Sequence, residues 1–364
     1  AKNPRYAIAY KFPPQQATTK INEIVLQVGM HGTLTPVAEL EPVYLAGSTI
    51  SRCTLHNLDE IRRKGIMCGD TVIIEKGGDV IPKVVKVVES RRTGKEKEFS
   101  MPANCPSCGK PVVKEEDKVA YRCANGKCPA QLEGRIAHFT QRNAMNLEGF
   151  GTALITQLVK EKLAEDFADL YYLKKEDFLK LERLGEKSAQ NLALALENSK
   201  NRLLSNLLFA LGIRYAGEHV AEILASRFES LDDIMALKRE DFENIHGIGE
   251  TVAASLAGFF NSEANRKIIE KLRAKGVNLK RREEERPVSG KLNGRVFVFT
   301  GELAAFTREE AEKAVKKMGG AAVSSVSKKT DYWVAGEAPG SKLAKAKKLN
   351  VTILNEEEFK RMIQ

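Results

Sequence analysis

No apolar run in the 364 residues approaches the roughly 18 to 20 consecutive residues that a membrane-spanning helix needs, and no secretory leader opens the sequence. Apolar residues make up 43% and charged residues 29%, which argues against a largely disordered or collagen-like polymer. Cysteine is scarce, with six in all, and four of them fall within 24 residues, which does not suit a secreted disulfide framework. Methionine is missing from the first position. The chain opens with Ala1 in what reads as the middle of a strand, as a piece of a longer protein would. Its length predicts two to four domains.

Lys plus Arg exceed Asp plus Glu by 58 to 48, a formal charge of +10 that suits a polyanionic partner without specifying one. The distribution is more informative. Residues 1–100 carry 15 basic and 11 acidic side chains, and residues 101–145 carry 7 and 4. Residues 146–285 reverse the sign, with 21 against 24, and residues 286–364 restore it with 15 against 9. A nucleic-acid contact in the third segment must therefore not depend on bulk charge.

The clustered cysteines read as a metal site. Cys105-Pro-Ser-Cys108 and Cys123-Ala-Asn-Gly-Lys-Cys128 are two close pairs with fourteen residues between them. Joined by a short hairpin, they give tetrahedral four-sulfur coordination with no open position for catalysis, hence one structural Zn2+. An iron–sulfur cluster is the alternative, told apart by the colour of the purified protein. Gly109 and Gly126 fall where the backbone bends around each pair. Cys53 and Cys68 stand apart as small, half-buried residues.

The acidic segment hides a repeat. Gly149-Phe-Gly151, Arg183-Leu-Gly185, Tyr215-Ala-Gly217 and Gly247-Ile-Gly249 align, with second glycines 34, 32 and 32 residues apart. Three copies continue as Gly-Glu-x-x-Ala, and helical apolar patterns follow, such as Val252, Leu256, Phe259 and Phe260. The pattern predicts a helix, a tight hairpin and a second helix, four times over. The second glycine permits close backbone approach or positive φ at the turn. Open amides at the start of the second helix would then make a phosphate site without basic side chains. The stretch resembles tandem helix-hairpin-helix motifs, which implies backbone-directed DNA contacts at Gly149, Gly151, Gly185, Gly217, Gly247 and Gly249. Arg183 and Tyr215 depart from the Gly-x-Gly form, so their hairpins are the weaker candidates. A helical repeat built for protein contacts is the alternative.

After a charged linker at 283–290, Arg295–Gly301 reads as a strand, and Thr307–Met318 as a helix capped by Thr307 and Glu310 and stopped by Gly319-Gly320. Strands follow at Ala321–Ser327 and Tyr332–Ala335, then a helix opening at Gly340, and Val351–Leu354 closes the sheet. This β-α-β-β-α-β order resembles a BRCT domain. The resemblance implies a phosphate site at Thr300, Gly301 and Lys342, with a solvated helix lysine as the alternative for Lys342. Trp333, the only tryptophan, reads as core.

The first hundred residues begin with an alternating strand, Tyr6 to Phe12, with Lys11 on its small-residue face. A lysine there can approach a bound phosphate closely. Short β-rich runs with turn signals follow, consistent with a small closed barrel of OB type.

The order of parts resembles the bacterial NAD-dependent DNA ligases over the whole chain. That implies a multidomain protein with an α/β BRCT end: 1–14 ending an adenylation domain, 15–97 an OB-fold β-barrel, 98–130 a small four-cysteine zinc finger, 131–284 an all-α helix-hairpin-helix domain, and 288–364 BRCT. It implies that Lys11 contacts the adenylate phosphate, as a catalytic and cofactor-binding residue, and that Lys76, Val80 and Ile81 touch the duplex. It further implies NAD+, Mg2+ or Mn2+, nicked double-stranded DNA as partner without sequence preference, a monomer, no membrane, and a bacterial cytoplasmic, nucleoid-associated location. The partner of the BRCT-like end is left open. The family's Lys-x-Asp-Gly nucleophile motif does not precede Lys11 in this sequence, so this portion by itself is expected not to self-adenylate. Met30 and His31 stand where the family commonly has Arg-Thr, and a histidine in such a loop is ordinarily a polar surface residue. A non-catalytic DNA-binding scaffold is the alternative for the protein as a whole.

Overall fold

A computed structural model describes residues 14–77, 81–114, 119–285, 292, 295–300, 303, 306–323, 330–336 and 351–363. The chain divides into two compact units, one reaching to Arg281 and one built from the segment after it.

The first unit begins with five strands that close on themselves in the order β1-β2-β3-β6-β5: β1 (Gln16–Val28), β2 (Leu34–Leu45), β3 (Ser48–Thr54), β5 (Thr71–Gly77) and β6 (Ile81–Val87). Antiparallel pairing of Gln16 with Glu75 through Lys20 with Thr71 makes the closure, so no long edge is left exposed. Period-two alternation fills the interior with Ile21, Ala38, Leu40, Ile50, Val72 and Ile74. Between β3 and β5 sit helix α1 (Leu58–Lys64) and the two-residue strand β4 (Met67–Cys68), which pairs with β7 (Lys97–Glu98). Asn57 caps α1 by accepting the Glu60 amide at 2.8 Å. The fully buried Asp70 accepts two hydrogen bonds from the Arg92 guanidinium, both 2.8 Å, and the Met67 amide at 2.7 Å. This fork holds the segment after β6 against the barrel.

A short hairpin, β8 (Val112–Lys114) and β9 (Tyr121–Cys123), carries the cysteine pairs and packs on the barrel through Leu26, Val28 and Leu34. Helix α2 (Pro129–Thr140) starts directly from Cys128, with Pro129 at its first position. The helices that follow are α3 (Thr152–Lys160), α4 (Lys175–Phe178), α5 (Glu186–Ser199), α6 (Leu204–Ala210), α7 (Glu218–Arg227), α8 (Leu231–Met235), α9 (Arg239–Glu243), α10 (Glu250–Asn261) and α11 (Glu263–Ala274). They share one apolar core running from Ile136 to Leu279. Lys271 of α11 ties back to Asp166 and Asp169, each at 2.7 Å, and burial, which would lower its pKa, is outweighed by the two carboxylates, which hold it charged. No helix among the described residues is long and apolar enough to cross a membrane.

The second unit is a parallel sheet in the order β11-β10-β12-β13, from β10 (Val296–Thr300), β11 (Ala321–Val323), β12 (Tyr332–Ala335) and β13 (Thr352–Asn355). Phe297, Phe299 and Phe359 fill one face, and Trp333 packs with Val298 and Val351 on the other, as its mid-strand position predicts. Helix α12 (Arg308–Lys317) has a complete capping box: the Thr307 amide donates to Glu310 at 2.8 Å, and the Glu310 amide to the Thr307 hydroxyl at 3.3 Å. The expected helix at Gly340 lies outside the described residues. A further helix, Glu356–Ile363, is not among the expected elements, although Asn355 and Glu358 cap it reciprocally at 2.8 Å and Asn-x-x-Glu is a legible start signal.

Asp70→Asn should destabilise the barrel by about 2–3 kcal/mol, because the Arg92 charge loses its anion in a mostly dry setting. Urea unfolding at neutral pH measures it.

Candidate nucleic-acid interface and zinc centre

The four cysteine sulfurs lie within 4.8 Å of one another, with Cys105 to Cys128 at 3.9 Å and Cys108 to Cys123 at 3.5 Å. A tetrahedron with metal–sulfur bonds of about 2.3 Å has edges of about 3.8 Å, so the donor set fits Zn2+ and leaves no ligand position open. The Asn125 side chain and the Lys110 amide hydrogen-bond the Cys108 sulfur and hold its pKa down to about 6. Burial pushes Cys123 up to about 12, a cost that a bound divalent cation offsets. These four residues are a structural zinc site, buried among Leu26, Val28, Leu34, Met101 and Tyr121.

In the helical region the four aligned stretches are hairpins of one backbone form. The first residue of each is left-handed: Gly149 at φ 89°, Arg183 at 63°, Tyr215 at 65° and Gly247 at 93°. The second glycine is instead extended, at φ −77° for Gly151, −104° for Gly185, −87° for Gly217 and −89° for Gly249. Positive φ therefore belongs to the first position, and close approach is the property of the second. A Cβ built on any of the four second glycines meets nothing within 4 Å. Each is the N-cap of its helix, and none of the four helices has a side-chain cap. Four helix N-termini thus present main-chain amides to open space, with the positive end of the helix dipole behind them.

Arg183 and Tyr215 adopt the same left-handed form as the two glycines, so all four hairpins keep one backbone shape. At the two glycine copies φ is larger, near 90°, where any L side chain is strained, and neighbouring copies also approach closely. A Cβ on Gly149 would lie 2.9 Å from Leu192 of α5, and one on Gly247 would lie 2.9 Å from Ile223 of α7. The first hairpin is thereby packed on the second helix of its neighbour, and the fourth on that of the third. Glu186, Glu218 and Glu250 occupy the first turns of their helices. Glu186 pairs with Lys175, and Glu218 accepts a hydrogen bond from Asn143.

The barrel residues divide. Ile81 is 61% exposed at the base of the β5–β6 turn. Lys76 is buried, and its ammonium donates to the Ala46 carbonyl at 2.8 Å. Val72, Ile74 and Lys76 alternate with the half-exposed residues of β5 and share its buried face. His31 is half-buried rather than superficial. Burial, then the charges of Arg122, Arg214, His138 and Arg135, lower its pKa. No local pattern announces this gathering of cations, since they come from separate elements. Thr300 ends β10, while Lys11, Val80, Gly301 and Lys342 lie outside the described residues.

Family models match along the chain: the NAD-dependent DNA ligase OB-fold domain at residues 18–96, the NAD-dependent DNA ligase C4 zinc finger domain at 104–130, a helix-hairpin-helix motif at 206–269, and the BRCA1 C Terminus (BRCT) domain at 287–363. Among curated proteins, the DNA ligase of Halothermothrix orenii is 52% identical over 366 residues, covering 100% of this chain and 55% of that protein. That of Pelotomaculum thermopropionicum is 52% identical, covering 99% and 53%, and that of Geobacter metallireducens 50%, covering 100% and 54%. The chain spans about half the length of the curated relatives it matches.

Chelation should release one zinc per chain and abolish amide protection from Cys105 to Cys128 while the barrel stays protected, as hydrogen exchange would record. Gly149→Ala and Gly247→Ala should each cost about 1–3 kcal/mol, through left-handed strain plus the clash with Leu192 or Ile223. Arg183→Gly should instead raise stability by about 0.5–1 kcal/mol, since it removes the Cβ from a left-handed residue. Thermal unfolding separates the two signs.

Proposed function

The chain belongs to the NAD-dependent DNA ligase family, and from that premise we propose that the whole protein seals nicks in duplex DNA, with this portion acting as its DNA clamp. The repeated hairpins carry the reading: four uncapped, glycine-led helix N-termini expose amides in a segment with net charge −3. Such ends take backbone phosphates by hydrogen bonding and dipole, which suits a duplex of any sequence. The exposed Ile81 beside the β5–β6 turn offers an apolar contact to the groove, and Lys76 serves the barrel by bracing its Ala46 turn. Zinc fixes the finger between barrel and helices and takes no part in the chemistry.

In the whole enzyme, NAD+ supplies the adenylyl group and a divalent metal the charge neutralisation that each transfer needs. A lysine nitrogen displaces nicotinamide mononucleotide from NAD+ and becomes adenylylated. AMP then passes to the 5′-phosphate at the nick, and the 3′-hydroxyl displaces it, closing the phosphodiester. Lys11 would contact the adenylate phosphate, and Thr300, Gly301 and Lys342 would form a phosphate site in the BRCT end. A monomer in the bacterial cytoplasm, associated with the nucleoid, is the setting this chemistry implies.

Aspartate at the N-cap of a helix is a better cap than glycine, yet it covers the amides and adds a negative charge. Gly217→Asp and Gly249→Asp should therefore keep or raise the melting temperature while weakening nicked-duplex binding at least tenfold, followed by fluorescence anisotropy. The chain alone should take up no label from radioactive NAD+. Unchanged duplex affinity in the folded double variant would refute the clamp.

A further inference from the structure

The four hairpins close on one another in two pairs, and each pair is tied from both sides. On one side the contacts are aliphatic: the Gly149 turn of the first hairpin meets Leu192 of α5, and the Gly247 turn of the fourth meets Ile223 of α7. On the other side they are polar. Gln157 of α3, the helix that leaves the first hairpin, accepts the Glu182 amide of the second hairpin on its Oε1 at 2.8 Å. Ser255 of α10, the helix that leaves the fourth hairpin, donates its hydroxyl to the Arg214 carbonyl of the third at 2.6 Å. The first hairpin thus exchanges contacts with the second, and the third with the fourth.

The two polar ties are equivalent by position. Gln157 lies six residues after Gly151, and Ser255 six after Gly249. Each is half-buried and directly precedes a fully buried leucine, Leu158 or Leu256. The residue each one holds stands directly before the left-handed residue of the partner hairpin, Arg183 or Tyr215. Those are the two hairpins whose turn carries a Cβ, and a left-handed residue with a side chain persists only where its surroundings hold it. The chemistry differs between the ties, because Gln157 accepts from an amide and Ser255 donates to a carbonyl, so one residue type does not mark both.

We propose that Gln157 and Ser255 are positioning residues, each preorganising the partner hairpin: Gln157 sets the amides opened by Gly185, and Ser255 those opened by Gly217. The proposal rests on the clamp reading above. Neither side chain needs to touch DNA, since each acts through the turn from which the partner's second helix starts. A turn held in place before the duplex arrives costs no ordering on binding, whereas a loose one does. The hairpins therefore depend on one another in twos, and the dependence runs from one hairpin's helix to the other hairpin's amides.

The test is a double-mutant cycle on the zinc-loaded chain, read as nicked-duplex affinity by fluorescence anisotropy, with melting temperature followed alongside. Gln157→Ala and Ser255→Ala should each weaken binding by about fivefold. Gln157→Ala should add less than about twofold to the loss caused by Gly185→Asp, which already closes the partner's amides. Beside Gly151→Asp, in its own hairpin, it should keep its full effect. Ser255→Ala should behave likewise with Gly217→Asp and with Gly249→Asp, and Ser255→Thr, which keeps the hydroxyl, should bind as the wild type does. A side chain that only stabilises its own helix gives equal losses in both combinations or the opposite dependence. Either result, or unchanged affinity in the folded single variants, overturns the proposal. Should Gly185→Asp and Gly217→Asp leave affinity intact, the clamp reading falls separately, and backbone order still judges the ties. Order parameters from NMR relaxation should fall at residues 183–185 in Gln157→Ala and at 215–217 in Ser255→Ala, while the 149–151 and 247–249 turns stay rigid. Unchanged order at the partner turns overturns the proposal.

Discussion

A left-handed residue at the start of each hairpin is the constraint on which the candidate interface depends. Gly149, Arg183, Tyr215 and Gly247 turn the chain so that the glycine two positions later is extended and caps its helix with no side chain. The first turn of the helix then has no side-chain cap over its amides. Had serine or aspartate stood at the cap, those donors would be closed. The helix dipole adds a local positive potential that does not register in the side-chain count, which is how a segment of net charge −3 can suit a polyanion.

The same hairpins also pack on one another, and the two demands divide between their positions. The second glycine faces open space in every copy, so its lack of a side chain serves what lies outside the fold. The first glycine is retained where Leu192 or Ile223 crowds it, and so serves the fold itself. In the other two copies a larger, exposed side chain accepts the left-handed strain of about 1–2 kcal/mol. Arg183 and Tyr215 occupy those places, and Tyr215 uses its exposure to stack with Arg214.

Zinc acts at the other junction. The thiolates draw β8, β9 and the start of α2 together over the end of the barrel, where Leu26, Val28 and Leu34 cover them. A hairpin of this length has too little apolar surface to fold alone, and the metal substitutes for the missing core. The finger then fixes the β1–β2 turn through the Cys123 amide and Arg122, which places His31 among charges that come from distant parts of the chain.

Short local patterns encode much of this architecture before the chain closes. Two cysteine pairs specify a four-sulfur site, a glycine repeat near 32 residues specifies hairpins, alternation specifies strands, and Thr307 with Glu310 specifies a helix start. The helix from Glu356 is equally local, since Asn355 and Glu358 mark its start. Which position bears the left-handed turn is legible only in the folded backbone, where it is the first residue of all four hairpins and the second glycine is extended. The inward turn of Lys76 is of the same kind, because the closed barrel makes one face of β5 an interior. So is the gathering of cations around His31, since β9, α2 and the third hairpin lie from about 90 to about 180 residues beyond it in the chain. Local patterns fix dihedral preferences and ligand sets, but charge at a junction depends on distances through space, and those exist only in the folded chain.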